Sequence, residues 1–506
     1  MSIRVYNTLS REKEPFEPVT PGAVGIYLCG PTVYKPPHIG HLVGPVIFDA
    51  IKRYLVFRGY RVRWVVNITD VDDKIIHEAA ARGIDFRQLA VEQTGLYLGV
   101  LSDLGVRESI DDLPRASEHM RQIVAVIETL IDKKHAYATP AGDVWFDVQS
   151  DPGYGKLSNR KLADAEAGTR TLEGQGKKHA ADFALWKAVK PAKEGQPTEP
   201  AWDSPWGRGR PGWHIECSAM SQAYLGDTFD IHGGGDDLKF PHHENELAQS
   251  ECCTGKPLAK YWLHNGLTRI KTKATSGEWK SEKMSKSLGN TVGARELLTA
   301  HGADVLRYLL LSTHYRSPIE FSDDVLANTK KALGVFTRLF ERVERLGATA
   351  LPAPRMPTAQ PWALNDTSRL DALSKPYVEK FTGAMDDDFN TAGAIAAMHE
   401  LAGVINAEIE KTGVEQTAGD VARSRVTTAA AALKSLGGIL GLFLVESQPT
   451  PADEDTVEKL MSLIISLRQT ARKEKNFAMA DAIRNGLTEI GITLEDKKDG
   501  TAWRKN

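Results

Sequence analysis

At 506 residues the chain is longer than one ordinary hydrophobic core accommodates, so two to four domains are expected. Hydrophobic content of 42% and charged content of 25% are those of a soluble globular protein, while the formal charge of -3 excludes no class, since a basic surface for nucleic acid can hide in a near-neutral total. No run of about 18 apolar residues occurs, which argues against a membrane span, and four cysteines are too few for a disulfide scaffold in so long a chain.

The start, MSIRVYNTLSREKEPFEP, lacks a long apolar core after its basic residues, so no secretory signal is read and a reducing, cytoplasmic setting is expected. Val24 to Leu28 has the residues of a buried strand ending at Cys29. After Gly30 and Pro31, the spacing of Leu42, Val43, Val46, Ile47, Ala50 and Ile51 reads as a helix starting near His38 to Gly40. PPHIGH thus sits where a strand hands over to a helix start, with unpaired N–H groups, a glycine allowing close approach of a phosphate or base, and His38 and His41 on one helical side. That arrangement suits a nucleoside triphosphate, although HxGH alone is a weak pattern and such histidines are often simple polar caps. Arg61 to Ile68 is a second buried strand, and the acids at 70, 72 and 73 that follow it either meet substrate or cap the helix near Lys74.

From about 116 to 205 the pattern changes to a helix at 116–134, a hairpin in AYATPAGDVWFDV, and a polar stretch with Lys156, Arg160, Lys177, Lys178 and His179. This reads as an insertion splitting a nucleotide-binding domain of two halves, 1–115 and 206–255. Its bases could touch nucleic acid or be plain solvated surface. The core resumes at Trp213. Phe229 to Ile231 is expected as a short strand, Gly233 to Gly235 as a tight approach after it, and a helix from Pro241 carries His242 and Glu246 on one face. Cys29, Cys217, His242 and Glu246 form a chemically reasonable zinc set. Spacing alone favours the plainer reading of buried cysteines and a salt-bridging glutamate.

Residues 256–325 carry Lys283 and Lys286 around a Ser-containing turn before Gly289, a mobile loop able to close over a polyphosphate. Beyond it, helices at 325–347, 368–384, 389–411 and 421–444 read as a bundle spanning 326–447, with PAPRMPTAQP as a linker inside it. The tail, 453–506, reads as two amphipathic helices bearing Arg468, Arg472, Lys473, Lys475 and Arg484, then LEDKKDGTAWRKN. There Trp503 beside Arg504 suits stacking on an unpaired base next to phosphate contacts, or is an ordinary charged surface.

CGPTVY at 29–34, PPHIGH, NITDVDDK at 67–74, GRPGWHIECSAM at 209–220, IHGGGDDLKFPHHENE at 231–246, KMSKSLGN at 283–290 and GTAWR at 500–504 follow one another in order, and together they resemble the cysteinyl-tRNA synthetases, class I aminoacyl-tRNA synthetases, over nearly the whole chain. The resemblance implies an α/β Rossmann-like catalytic domain split by an insertion, a KMSKS domain, a helical bundle contacting tRNA and a small C-terminal anticodon-binding domain. It implies activation of L-cysteine by Mg-ATP and transfer to the terminal ribose of tRNA(Cys). His38 and His41, with Gly40, would serve the phosphates, and Lys283 and Lys286 the departing pyrophosphate. Zn2+ would be held by Cys29, Cys217, His242 and Glu246 and select the substrate thiolate, so that no editing domain is needed. Trp213 and His232 would line the thiol pocket, Thr69 and Asp237 would hold the amino-acid head group, and Arg472, Lys475, Trp503 and Arg504 would meet tRNA. A monomer is expected.

Two departures from the family stand out. KTKATSGEWKSE before the mobile loop is longer than the family pattern and reads as a polar hairpin at 271–282, and LEDKKDG replaces LEDTPQG near the end. Two other functions fit parts of the chain. A ligase passing activated cysteine to an amino-sugar, as in mycothiol biosynthesis, would share the same motifs, but about 180 residues of bundle and tail argue against so small an acceptor. A non-catalytic zinc and RNA-binding protein has no need for both halves of an ATP site.

Overall fold

The computed structural model describes residues 2–160, 176–190, 199–273, 279–283, 292–346, 351, 370–416, 419–444, 454–497 and 500–505. They form two units, Met1–Leu444 and Val445–Asn506.

At the centre of the first unit is a parallel sheet in the order Ala259–Asn265, Phe229–Gly235, Ala23–Leu28, Arg61–Val66. Ile26, Tyr27 and Leu28 are buried at consecutive positions, as are Trp64, Val65 and Val66, which is what a sheet covered on both faces requires. The helix Gly40–Phe57 covers one face, and its buried Leu42, Val46, Ile47, Phe48, Ile51 and Leu55 join the main core. Beyond Arg61–Val66, an extended stretch continues the sheet through parallel bridges of Val65 with Asp112 and Ile68 with Arg115. The strand order reverses between Ala23–Leu28 and Phe229–Gly235, and the carboxyl ends of these neighbouring strands open a crevice there.

The strand expected over Phe229–Ile231 runs on through all three glycines to Gly235. Glycine weakens a strand on propensity, so sequence logic ends the strand at residue 231. Tertiary packing requires the glycines instead: a methyl group on Gly233 would overlap the Phe48 ring, and one on Gly234 would stand 2.5 Å from His243 Cε1. The helix expected from Pro241 begins at Glu244, after a wide turn at Lys239–His243. Phe240 is extended (φ -139°, ψ 134°), as the residue before a proline prefers.

Between the two halves lie the helix Met120–Asp132 and an antiparallel sheet in the order Ala136–Ala138, Val144–Phe146, Phe183–Ala188, Gly209–Pro211. Its core of Ile123, Ile127, Leu130, Phe146, Leu185 and Trp186 is continuous with Ile215, Ala219 and Ala248 of the returning half. Further on, Thr268–Lys273 pairs antiparallel with Trp279–Lys283 and parallel with Ile319–Phe321, so the polar hairpin exists, although its turn lies outside the described residues.

The bundle consists of Asp323–Glu344, Lys375–Asp386, Thr391–Thr412 and Asp420–Ile439. Ser322 caps the first helix by accepting from Val325 N, Asn390 caps the third by accepting from Gly393 N, and Gly413 (φ 62°) closes the third in the left-handed conformation glycine favours. The linker read at 352–361 lies outside the described residues. The second unit contains the helices Glu454–Lys473 and Phe477–Glu489 and the hairpin Ile492–Lys497 with Gly500–Lys505.

Candidate active site

Cys29 follows directly on the strand Ala23–Leu28, and its N–H donates to Gly233 O across the switch point (3.2 Å). Cys217 lies one turn into the helix Trp213–Leu225. His242 is the fourth residue of the wide turn, and Glu246 is in the first turn of Glu244–Thr254. Four segments separated by up to 217 residues therefore converge: Cys29 Sγ is 3.9 Å from Cys217 Sγ and 3.3 Å from Glu246 Oε1, which is 2.9 Å from His242 Nε2. One ligand atom from each of the four lies within 4.8 Å of all the others. A tetrahedral zinc with bonds of about 2.3 Å to sulfur separates two thiolates by roughly 3.8 Å, so the observed cage fits such an ion. A second set, in which His232 and His243 replace Cys217 and His242, satisfies the same distance test. The first set offers the soft thiolate pair and leaves His232 and His243 in other hydrogen bonds.

The charges inside the cage are coupled. Burial pushes the Cys217 thiol up, but hydrogen bonds from Cys29 and His242 outweigh it and bring it down to about 6. For His242, burial favours the neutral ring, yet the Glu246 carboxylate and the Cys217 sulfur raise it to about 10. Burial also opposes the Glu246 charge, but His242 and His232 hold that carboxyl well below its ordinary range. Burial, with Cys217 and Glu246 beside it, pushes the Cys29 thiol up, so the four groups together favour holding protons that a metal cation would displace.

His38, Gly40 and His41 line a cavity of about 380 Å³ together with Cys29, Thr32, Trp213, Asp237, Asn265 and Thr268. His38 precedes the helix, which starts at Gly40, so the two histidines do not share a helical face. Instead their rings stack at 3.9 Å between centroids, and His38 Nδ1 accepts from Gly40 N (3.1 Å). A Cβ at Gly40 would stand 2.9 Å from His38 Cε1, which is why glycine is needed between them. The stretch is tied to the start of the helix Ala294–His301: Ile39 N donates to Val292 O, and Ala294 N to Pro37 O.

Trp213, the first residue of its helix, is 36% exposed and stacks on His242 at 4.0 Å and 20°, closing one side of the cage. His232 is fully buried, and its Nε2 lies 2.9 Å from Glu246 Oε2. Asp237 is exposed at the cavity wall. Thr69 sits one layer back, its backbone bridging to Thr32 and its hydroxyl accepting from Asn67 Nδ2 (3.2 Å). Lys283 ends the strand Trp279–Lys283 opposite Arg269, and Lys286 lies outside the described residues. In the second unit Arg472 and Lys475 are exposed, Trp503 is half-buried opposite Leu494, and Arg504 Nε is 3.4 Å from Glu495.

Three family models match the chain: "tRNA synthetases class I (C) catalytic domain" over residues 15–331, "DALR domain" over 380–444 and "Cysteinyl-tRNA ligase anticodon binding domain" over 464–504. A "Cysteine--tRNA ligase" of Heliobacterium modesticaldum is 47% identical over the full length of both chains. The chain belongs to the class I cysteinyl-tRNA synthetase family. A further "Cysteine--tRNA ligase", from Thermococcus gammatolerans, is 43% identical over 100% of this chain and 99% of its own. At the level of fold alone, Mycobacterium tuberculosis methionyl-tRNA synthetase in complex with methionyl-adenylate aligns with a TM-score of 0.58 at 16% identity, covering 83% of this chain and 91% of that one.

In this synthetase several residues that sequence reading passed over hold the cage in place. His214 Nδ1 lies 2.9 Å from His242 Nδ1. The Glu244 carboxylate accepts from the N–H groups of Gly155, Leu157 and Ser158 at 3.0, 3.3 and 2.7 Å, and the Tyr154 hydroxyl donates to Asn245 Oδ1 at 2.6 Å. HHENE thus serves the cage with its first and last residues and anchors the inserted segment with two between. Only the spacing of His242 and Glu246 was legible beforehand, because the partners of Glu244 lie 86 to 89 residues away.

Proposed function

We propose that the chain is an ATP-dependent cysteine–tRNA ligase, joining L-cysteine to the α-phosphate of Mg-ATP to give cysteinyl-adenylate and pyrophosphate and then transferring the cysteinyl group to the terminal ribose of tRNA(Cys). The observation that carries this reading is the convergence of two cysteines, a histidine and a glutamate on the same cavity that the HxGH histidines line. Zinc suits that donor set, held by Cys29, Cys217, His242 and Glu246. When bound, it supplies a soft site that takes a substrate thiolate in preference to the harder and far less acidic hydroxyl of serine.

The chain's own residues then divide the work. His232 orients Glu246, and Trp213 walls the thiol side. Thr69, through the loop it shares with Thr32, and Asp237 hold the head group. The substrate carboxylate is already ionised near neutral pH, so no general base is invoked for its attack. His38 and His41 stabilise charge as it develops at the α-phosphate, and Lys283 and Lys286 hold it on the leaving pyrophosphate. The assignment of parts follows: 1–115 and 206–255 as the catalytic halves, 116–205 as the insertion, 256–325 as the mobile-loop domain, 326–447 as the tRNA-contacting bundle and 453–506 as the anticodon domain with Arg472, Lys475, Trp503 and Arg504. Among the described residues no helix is long and apolar enough to cross a membrane. The proposed form is a cytoplasmic monomer.

The test is charging of unfractionated tRNA with labelled cysteine, with labelled serine as control, zinc and Mg-ATP supplied. Cysteine on tRNA and no serine is the expected result. Activation of cysteine without transfer would overturn the RNA half of the reading, and no cysteine-dependent ATP–pyrophosphate exchange would overturn all of it.

A further inference from the structure

Three consecutive aspartates join the bundle helices Lys375–Asp386 and Thr391–Thr412, and none of them has a part in the chemistry proposed above. Each reaches a different element of the catalytic half. Asp386 accepts from the Tyr54 hydroxyl (2.5 Å) and from Arg58, at the end of the helix Gly40–Phe57. Asp387 pairs with Lys13 (2.7 Å) at the surface. Asp388 is fully buried: its Oδ1 accepts from Tyr6 N (2.8 Å) and from the Tyr315 hydroxyl (2.9 Å), and its Oδ2 from Arg316 Nε (2.8 Å). The backbone here is left-handed, at φ 65° for Asp388 and 49° for Phe389, a region aspartate tolerates and a bulky phenylalanine rarely adopts. Such conformations persist only where surrounding contacts over-determine them, and they cluster at functional positions.

The contacts of Asp388 lead to the active site. The Arg316 guanidinium is held between Asp388 and the Tyr6 ring, 4.3 Å from the ring centroid. The residues around it dock main chain to main chain on the cavity wall: Gly266 N donates to Tyr315 O (2.8 Å), and Ile319 N to Leu267 O (3.0 Å). A methyl group on Gly266 would overlap Ser317 O, so the two segments approach as closely as backbones can. Gly266, Leu267 and Thr268 line the cavity together with His38 and His41. From there Thr268–Lys273 runs on between Ile319–Phe321 and Trp279–Lys283, whose last residue, Lys283, stands opposite Arg269. The bundle turn thus holds the backbone on which one wall of the cavity and the strand ending in Lys283 are built.

We propose that Asp388 is a positioning residue for adenylate formation: through Arg316 and Tyr315 it fixes residues 314–317 against Gly266–Thr268, and so sets the cavity wall and the strand that presents Lys283. The proposal rests on the ligase reading above, in which ATP occupies that cavity and Lys283 meets the leaving pyrophosphate. It gives the bundle a share in the first half-reaction, before any RNA is bound. The metal cage lies off this route, since its four residues are carried by other segments.

The experiment uses the full chain with zinc and measures cysteine-dependent ATP–pyrophosphate exchange for wild type, Asp388→Asn, Arg316→Gln, their double variant and Lys13→Ala. Asparagine keeps the shape of Asp388 and can still accept from Tyr6 and Tyr315, but it turns an N–H group toward Arg316. In Asp388→Asn, kcat/KM for ATP should fall about 10- to 100-fold, with a raised KM for ATP, the size of effect that a misplacement of about 1 Å produces. The KM for cysteine and the zinc content should stay at their wild-type values. A smaller folded fraction lowers the rate but moves no KM, so the KM for ATP separates positioning from stability alone. Arg316→Gln, made at a partly exposed side chain, should reproduce the effect and carries the test should Asp388→Asn fail to fold. The double variant should be no worse than the worse single one, since both break the same link. Lys13→Ala breaks only the exposed pair of the same turn and should leave exchange unchanged. A wild-type KM for ATP in the Asp388 and Arg316 variants, an equal rise in the KM for cysteine, or penalties that multiply in the double variant would overturn the proposal. Absence of exchange in wild type would instead overturn the ligase reading itself.

Discussion

Glu246 shows how single side chains at this site divide their atoms. Its Oε1 faces Cys29 and His242, at 3.3 and 2.9 Å, while Oε2 is engaged by His232 Nε2 at 2.9 Å. His232 in turn stacks on Trp262 at 4.4 Å and 11°, so its ring cannot swing away. His232→Gln should therefore weaken metal binding by about 10- to 100-fold through misorientation of the carboxylate, measured by chelator competition. Wild-type metal affinity in that variant would show that Glu246 needs no such support. Cys217→Ser removes a soft ligand directly. Lost metal together with a raised KM for cysteine and an unchanged KM for ATP is expected from kinetics of the exchange reaction. At this scale the sequence was informative wherever spacing was local: His242 and Glu246 are four apart, and HxGH spans four residues. It was silent on Glu244, whose partners Gly155, Leu157 and Ser158 lie 86 to 89 residues away, because a long-range hydrogen bond is a property of surroundings and not of composition.

Between elements, the helix Gly40–Phe57 is fixed by two devices. The first is the glycine run, where Gly233→Ala would press a methyl group into Phe48 and should destabilise by about 1–3 kcal/mol, read as a fall in Tm. The second is a buried ion pair network. Asp49 Oδ2 accepts from Arg53 Nε at 2.8 Å and from Arg307, whose guanidinium also donates to Leu104 O and Leu440 O at 3.0 and 2.9 Å. This joins the helix Gly40–Phe57, the helix Ala303–Leu311 and the end of the bundle helix Asp420–Ile439 through side chains at most 2% exposed. Burial raises the Asp49 carboxyl, but the two arginines outweigh it and hold it below its ordinary value. A depressed carboxyl contributes stability above its unfolded pKa of about 3.9, and that contribution is lost as pH falls through the lower folded value. Asp49→Ala should cost about 3–5 kcal/mol near neutral pH by leaving buried guanidinium charge uncompensated, and the gap from wild type should narrow only below the ordinary aspartate range. Denaturant melts across pH check this; a gap that closes already at pH 6 would mean another group is responsible.

For the whole molecule, two units and a near-neutral total charge leave the question of how an RNA polyanion is held. Arg472 and Lys475 are exposed in the second unit, where phosphate contacts are proposed. Arg472→Ala should weaken tRNA binding without affecting cysteine-dependent exchange, and should reduce the slope of log affinity against log salt by about 0.7–0.9 if that side chain meets one phosphate. An unchanged slope in a salt titration would remove Arg472 from the interface.

The amino-acid sequence by itself determined the class of fold, the order of the motifs and the chemical types that could act. Strand-to-helix turns, amphipathic helices and HxGH are written in short-range spacing, and short-range spacing survives without knowledge of the fold. Tertiary structure alone decided which of those types meet. Cys29 and Cys217 are 188 residues apart, and their thiols approach only because the sheet brings the ends of the two halves together at its switch point. The same closure drew Gly233–Gly235, expected as a tight approach after the strand, into the strand itself, and moved His38 off the helix to stack on His41. Burial and long-range proximity set those outcomes, and both are properties of the packed chain.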